Sequence, residues 1–243
     1  METSIATSPP NWHKSEVPQQ ERASYWRILL SRGNSYASYA SNVDEEKILA
    51  TTLDLENQRV VKADVNRTRI PEEQKEITEK LLTFYCKTQK IKYKQGLNEL
   101  IAPFVNFYHT NHMELDKVYA CFSMFINKYL PTFYIDEDFI SLQGCLILLK
   151  LLVRYHDPRL STFLEECGIS PEMYATPWML TYFANKLEAE HLYELWDLVI
   201  HDGDPYLLFY LGLAFLLINK ETIIDKDASV LPQALATLKM GSP

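Results

Sequence analysis

Residues 71–89, PEEQKEITEKLLTFYCKTQ, decide the fold class of this chain. Pro71 suits a first helical position, because its missing N–H has no partner there in any case. Glu72 and Glu73 follow where the helix dipole favours anions, and Ile77, Leu81 and Phe84 recur on one face at the helical period. The same period continues outward. Trp26, Leu29 and Leu30 mark a helix opening near Glu21, after a polar, unpatterned arm over residues 1–20. SYASYASNVDEEK reads as a loop leading to a short helix. Further helices are expected over Leu97–Tyr108, Lys117–Tyr129, Asp138–Tyr155 (apolar on most sides and so central), 159–166, Trp178–Leu187 and Ala189–Ile200. Gly168 ends the fourth of these, and Asp202-Gly203-Asp204-Pro205 is a turn. With only 7 glycines and essentially no period-2 alternation, the expectation is an all-α chain, one multi-helix domain over residues 21–243.

Composition removes several classes of function. Hydrophobic residues make up 47% and charged residues 23%, enough for a sizeable core. A formal charge of -8 argues against a nucleic-acid binder, which needs a basic face, and against spontaneous binding to anionic membranes. The longest apolar run, PYLLFYLGLAFLLI (205–218), falls short of the ~20 residues that cross a bilayer and reads as a buried core helix. Cys86, Cys121, Cys145 and Cys167 form no CxxC pair and are expected as free thiols of a reducing cytoplasm, and no signal peptide is visible at the N-terminus.

Self-contained catalysis finds little support. His156-Asp157 are adjacent and so do not face each other on a helix, and no G-x-S-x-G elbow is present. His109 and His112 lack a third ligand at sensible spacing, so no metal site is expected. No G-x-x-x-x-G-K-[ST] loop cradles a phosphate. Two segments remain, at the two ends of the Pro71 helix. VKADVNRT (61–68) holds Asp64 and Arg67, and YKQGLN (93–98) holds Gln95 and Gly96. A helix of about 18 residues is roughly 27 Å long, so the two meet only if the chain folds back, which Gly96 and the KIKYK run allow. Arg67, on an irregular segment, could project a guanidinium toward a phosphate, with Asp64 holding it between encounters. A glutamine amide such as Gln95 can orient a water, and Gly96 permits close backbone approach. Equally, Asp64 and Arg67 could be a surface ion pair and Gln95 a turn residue.

The ordered pair VKADVNRT and YKQGLN resembles the I-x-x-D-x-x-R-T and Y-x-Q-G-x-N signatures of the TBC domain, the catalytic domain of Rab GTPase-activating proteins. Three more segments resemble the family in order: RASYWRILLSR (22–32), YATPWMLTYFANKL (174–187) and ELWDLVIHDGDPYLLFYLGLAFL (194–216). The resemblance covers about residues 21–225. It implies the all-helical TBC fold and a domain that docks on a GTP-loaded Rab. Arg67 would be an arginine finger and Gln95 a glutamine finger, both supplied in trans. Asp64 and Thr68 would support the first, and Tyr93, Gly96 and Asn98 the second. GTP and Mg²⁺ would belong to the partner, so no cofactor of its own is implied. The chain would work in the cytoplasm and reach endomembranes, in vesicle trafficking, through that partner. Val61 for Ile, Lys94, Leu97 for Met, Arg69 before Ile70-Pro71 and the missing Gly after Arg22 depart from the family pattern. FYCKTQKIKY, INKYLP and YHDPRLSTFLEE resemble a divergent branch in which some members have lost the fingers. The alternative implied is an inactive TBC-type module that binds a GTPase or a trafficking partner.

Overall fold

A computed structural model of the protein describes residues 17–32, 43–136, 138–204 and 206–238. Among these residues there is no strand. The helices in chain order are α1 (Gln19–Leu30), α2 (Glu45–Leu49), α3 (Gln58–Arg67), α4 (Glu72–Gln89), α5 (Leu97–Thr110), α6 (Leu115–Tyr129), α7 (Ile140–His156), α8 (Pro158–Glu166), α9 (Thr176–Leu180), α10 (Ala189–Asp202), α11 (Leu207–Ile218), α12 (Lys220–Ile224) and α13 (Leu231–Thr237). Most of the expected polar arm, residues 1–16, lies outside the described residues; Val17 is buried and α1 opens at Gln19. The helices gather into two compact units, which residue periodicity does not announce. The first comprises α1–α6 with α10, and the second α7–α9 with α11–α13.

In the first unit α4 packs on α3, α5 and α6, and α1 packs on α6 and α10. Its core is aromatic. Trp26, Phe104, Phe107, Phe125 and Trp196 meet at ring separations of 4.4–5.8 Å, edge-on or tilted except for the stacked Phe125–Trp196 pair. One polar cluster closes it. The Trp26 indole N–H donates to Asp197 Oδ1 at 2.6 Å, and Arg22 Nε lies 3.1 and 3.0 Å from the two oxygens of the same carboxylate. Burial nevertheless raises the Asp197 carboxyl above its ordinary range. Pro71 sits one place earlier than the sequence suggests, as the N-cap of α4, and Phe84 is half-buried beside Tyr119.

In the second unit α7 packs on α8, α9, α11 and a 3-10 turn at Pro171–Met173. The Asp157 side chain caps α8 by accepting from the Leu160 amide at 3.0 Å, and its other oxygen meets Lys220 Nζ at 2.5 Å. Two expectations change here. The Trp178–Leu187 helix stops after Leu180, because Tyr182 and Phe183 take left-handed backbone (φ 47° and 64°). The fully buried rings of these two residues fix that conformation from within the unit. And α7 is central on one face only: Leu142, Leu146, Leu149 and Val153 are buried, while Ile140, Ile147, Leu151 and Tyr155 are exposed. α11 likewise buries Leu208, Leu213 and Phe215 and leaves Tyr210 and Ile218 outside.

Candidate functional site

VKADVNRT is helical rather than irregular. It forms most of α3, burying Val61, Asp64 and Val65 on one face, and Arg67 is its last residue. Thr68 turns extended (φ -66°, ψ 139°) and ends the helix. The Thr68 amide still donates to the Asp64 carbonyl at 3.0 Å, and its hydroxyl donates to the same oxygen at 2.8 Å. The arginine is thereby presented from a helix end, a firmer platform than a loop. Its side chain is 71% exposed, whereas that of Asp64 is 3% exposed.

α4 and α5 run back on each other, so YKQGLN returns to the end of α3. A buried hydrogen-bond network then ties the two signatures together. One Asp64 carboxylate oxygen accepts from Arg67 Nη2. The other accepts from the Tyr93 hydroxyl at 3.0 Å. Asn98 bridges the segments: its Nδ2 donates to the Thr68 hydroxyl at 2.8 Å, and its Oδ1 accepts from the Gly96 amide at 3.1 Å. Tyr93 Oη also lies 3.1 Å from Asn98 Oδ1. A hydroxyl has one proton, and a carboxylate is the stronger acceptor, so that proton goes to Asp64. Burial first, and then the Asp64 charge, push the Tyr93 hydroxyl far above its ordinary pKa, so it stays a donor at any physiological pH.

Gly96 takes φ 108°, a left-handed backbone that favours glycine, and opens α5. Gln95, immediately before it, is exposed. All seven residues singled out in the sequence therefore lie in one place: Asp64, Thr68, Tyr93, Gly96 and Asn98 are buried, while Arg67 and Gln95 face solvent. Two neighbours were not anticipated. Asn57, the residue preceding α3, donates from Nδ2 to the Tyr93 carbonyl at 2.9 Å and so pins the glutamine turn from the far end of α3. Its only sequence signal is an Asn ahead of a helical stretch. Glu99, half-buried beside Asn98, has its carboxyl raised by burial, partly opposed by Arg69. Among the described residues no three His, Cys, Asp or Glu side chains converge as a metal site. Cys86 and Cys121 are buried free thiols, both pushed up to about 12 by burial. What the arrangement offers is a fixed cation with donors open to solvent and, on the adjoining turn, an exposed amide.

Comparison with known proteins gives the class. The family model described as the Rab-GTPase-TBC domain matches residues 19–224. The chain belongs to the Rab-GTPase-TBC domain family. It is similar to the TBC domain-containing protein kinase-like proteins of Mus musculus and Homo sapiens, 30% identical over 209 residues in each case, covering 83% of this chain. It is also similar to GTPase-activating protein GYP5 of Saccharomyces cerevisiae, 26% identical over 216 residues. The chain spans 22% of the length of each of these relatives. Among solved structures, the Ypt/Rab-GAP domain of Gyp1p superposes with a TM-score of 0.77 at 13% identity, over 94% of this chain and 85% of that one. The Chlamydomonas flagellar RabGAP TBC domain gives 0.74 at 18% identity, over 92% and 76%. The all-helical TBC fold expected from the ordered motifs is the fold observed.

Proposed function

We propose that the protein accelerates GTP hydrolysis on a Rab-family GTPase in its GTP-bound state, supplying Arg67 and Gln95 in trans. The observation that carries this reading is the network linking the two signatures, which buries all its members but Arg67 and leaves Gln95 exposed on the adjoining turn. With its guanidinium 71% exposed, the pair is screened by solvent and contributes about 1 kcal/mol to stability, so its value lies in aiming the guanidinium. Arg67 would approach the transferring phosphoryl group, whose charge spreads over its equatorial oxygens as the bond to the leaving group breaks. Gln95 would accept from and donate to the attacking water, replacing the GTPase's own glutamine. The nucleotide and Mg²⁺ stay on the partner, and membrane association follows the partner. No helix among the described residues is long and apolar enough to cross a bilayer.

The test is phosphate release from a panel of GTP-loaded Rabs with the wild type, Arg67→Ala and Gln95→Ala. An arginine finger is worth about 10³–10⁵ in rate, or about 4–7 kcal/mol of barrier. Acceleration on one or a few Rabs, lost in both variants, is expected. Saturable binding with no acceleration by the wild type assigns the same surface to a recruiting module instead.

A further inference from the structure

Helix α7 is apolar on two opposite faces, and the described residues cover only one of them. Ile140, Ile147, Leu151 and Tyr155 are 66%, 57%, 55% and 81% exposed. With Gly144 they fall within a stripe about 80° wide at 3.6 residues per turn. Singly scattered apolar side chains need no explanation, but a contiguous stripe marks an interface. Gly144 sharpens the point. A glycine inside a helix weakens it, and a Cβ built at Gly144 would meet nothing within 4 Å. No neighbour among the described residues therefore requires a glycine there.

We infer that this stripe is the seam of an antiparallel homodimer, in which α7 of a second copy occupies the exposed face. The ends of the helix carry opposite charge. At its start, Asp136 accepts from the Ile140 amide at 2.6 Å and Asp138 is exposed; at its end, Arg154 is exposed beside the stripe. A parallel pair would set like charges together. An antiparallel pair sets each acidic end on the other copy's basic end and opposes the two helix dipoles. Side-chain size agrees with the same arrangement. Centred near Ile147, the pairing brings Leu151 of one copy over the gap at Gly144 of the other, allowing close helix approach. Lys150, beside the seam, already has a partner in Glu165 at 3.2 Å and needs none from the second copy. A surface complementary to itself under a two-fold rotation is what an isologous dimer requires.

The experiment is light scattering coupled to size exclusion on the full chain over a concentration series. The wild type is expected to reach twice its 28.3 kDa chain mass. Leu151→Glu, on an exposed position, should keep the wild-type circular dichroism and raise the dimer Kd about 30-fold or more, as loss of a central anchor does. Arg154→Glu should weaken the dimer, and Asp138→Arg added to it should restore association. A wild type that stays monomeric at its highest soluble concentration overturns the inference and leaves the stripe to a different partner. A dimer indifferent to Leu151→Glu overturns it too, since another face would then hold the copies together. A charge reversal that fails to restore association overturns the antiparallel arrangement.

Discussion

Asp64 is 3% exposed while the Arg67 it touches is 71% exposed, so the two members of one ion pair answer to different physics. Removing the outer member takes the donor from one Asp64 oxygen, but the space left by a side chain that is 71% exposed fills with water, which donates in its place. Arg67→Ala is expected to lower stability in urea by no more than about 1 kcal/mol, whatever it does to activity. Removing an inner member is different. Tyr93→Phe leaves a buried Asp64 carboxylate oxygen without its donor, which costs about 1–3 kcal/mol. Equal urea midpoints for Tyr93→Phe and the wild type would mean that the network does not hold as drawn. The residue types at 64, 67, 93, 95 and 98 were legible in the sequence because the two signatures come in order at family spacing. Asn57 was not legible. It acts through a side chain-to-backbone bond across 36 positions, and a bond of that kind leaves no local pattern.

At the scale of elements, punctuation misled where helix ends obey tertiary contacts. α3 was not legible over residues 58–67, because its buried face includes a charged residue, Asp64, in place of an apolar one. Tyr182 and Phe183 end α9 with no breaker residue to announce it. Lys90 ends α4 in left-handed backbone (φ 55°, ψ 41°), a conformation that costs an L-residue about 1–2 kcal/mol. Lys90→Gly is therefore expected to raise stability by about 1 kcal/mol in thermal or urea melts. Gly96→Ala should do the reverse, by about 1–3 kcal/mol, since the α5 start needs φ 108°. The α7–α8 junction carries a pH signature. The Lys220 hydrogen bond holds the Asp157 carboxyl below its ordinary value. A lowered carboxyl pKa stabilises the fold above its unfolded value, and that stability is lost as pH falls through the folded one. Asp157→Asn keeps a capping oxygen but loses the charge. Its deficit against the wild type should be present at neutral pH and should vanish in acid; a deficit independent of pH would remove Lys220 from the explanation.

Across the whole molecule, the aromatic cluster of the first unit sets the frame on which α1, α5, α6 and α10 converge. Trp196 is fully buried among Trp26, Phe104 and Phe125, and Trp196→Ala should cost about 3–5 kcal/mol by chemical denaturation. Helix class and the family were readable from period and motif order, whereas the tie from Trp26 and Arg22 to Asp197 was not. The division into two units and the exposed face of α7 were not, because periodicity reports that a face is apolar and not whether anything covers it. Under the proposed function Arg67 acts in the transition state rather than in docking. The most direct test is single-turnover GTP hydrolysis by a responsive Rab at saturating wild type, Arg67→Lys and Arg67→Ala. The account predicts that the maximal rate falls about 10³-fold or more in Arg67→Ala and little less in Arg67→Lys, with the half-saturating concentration nearly unchanged. A maximal rate that stays at the wild-type value, with only the half-saturating concentration raised, would contradict it.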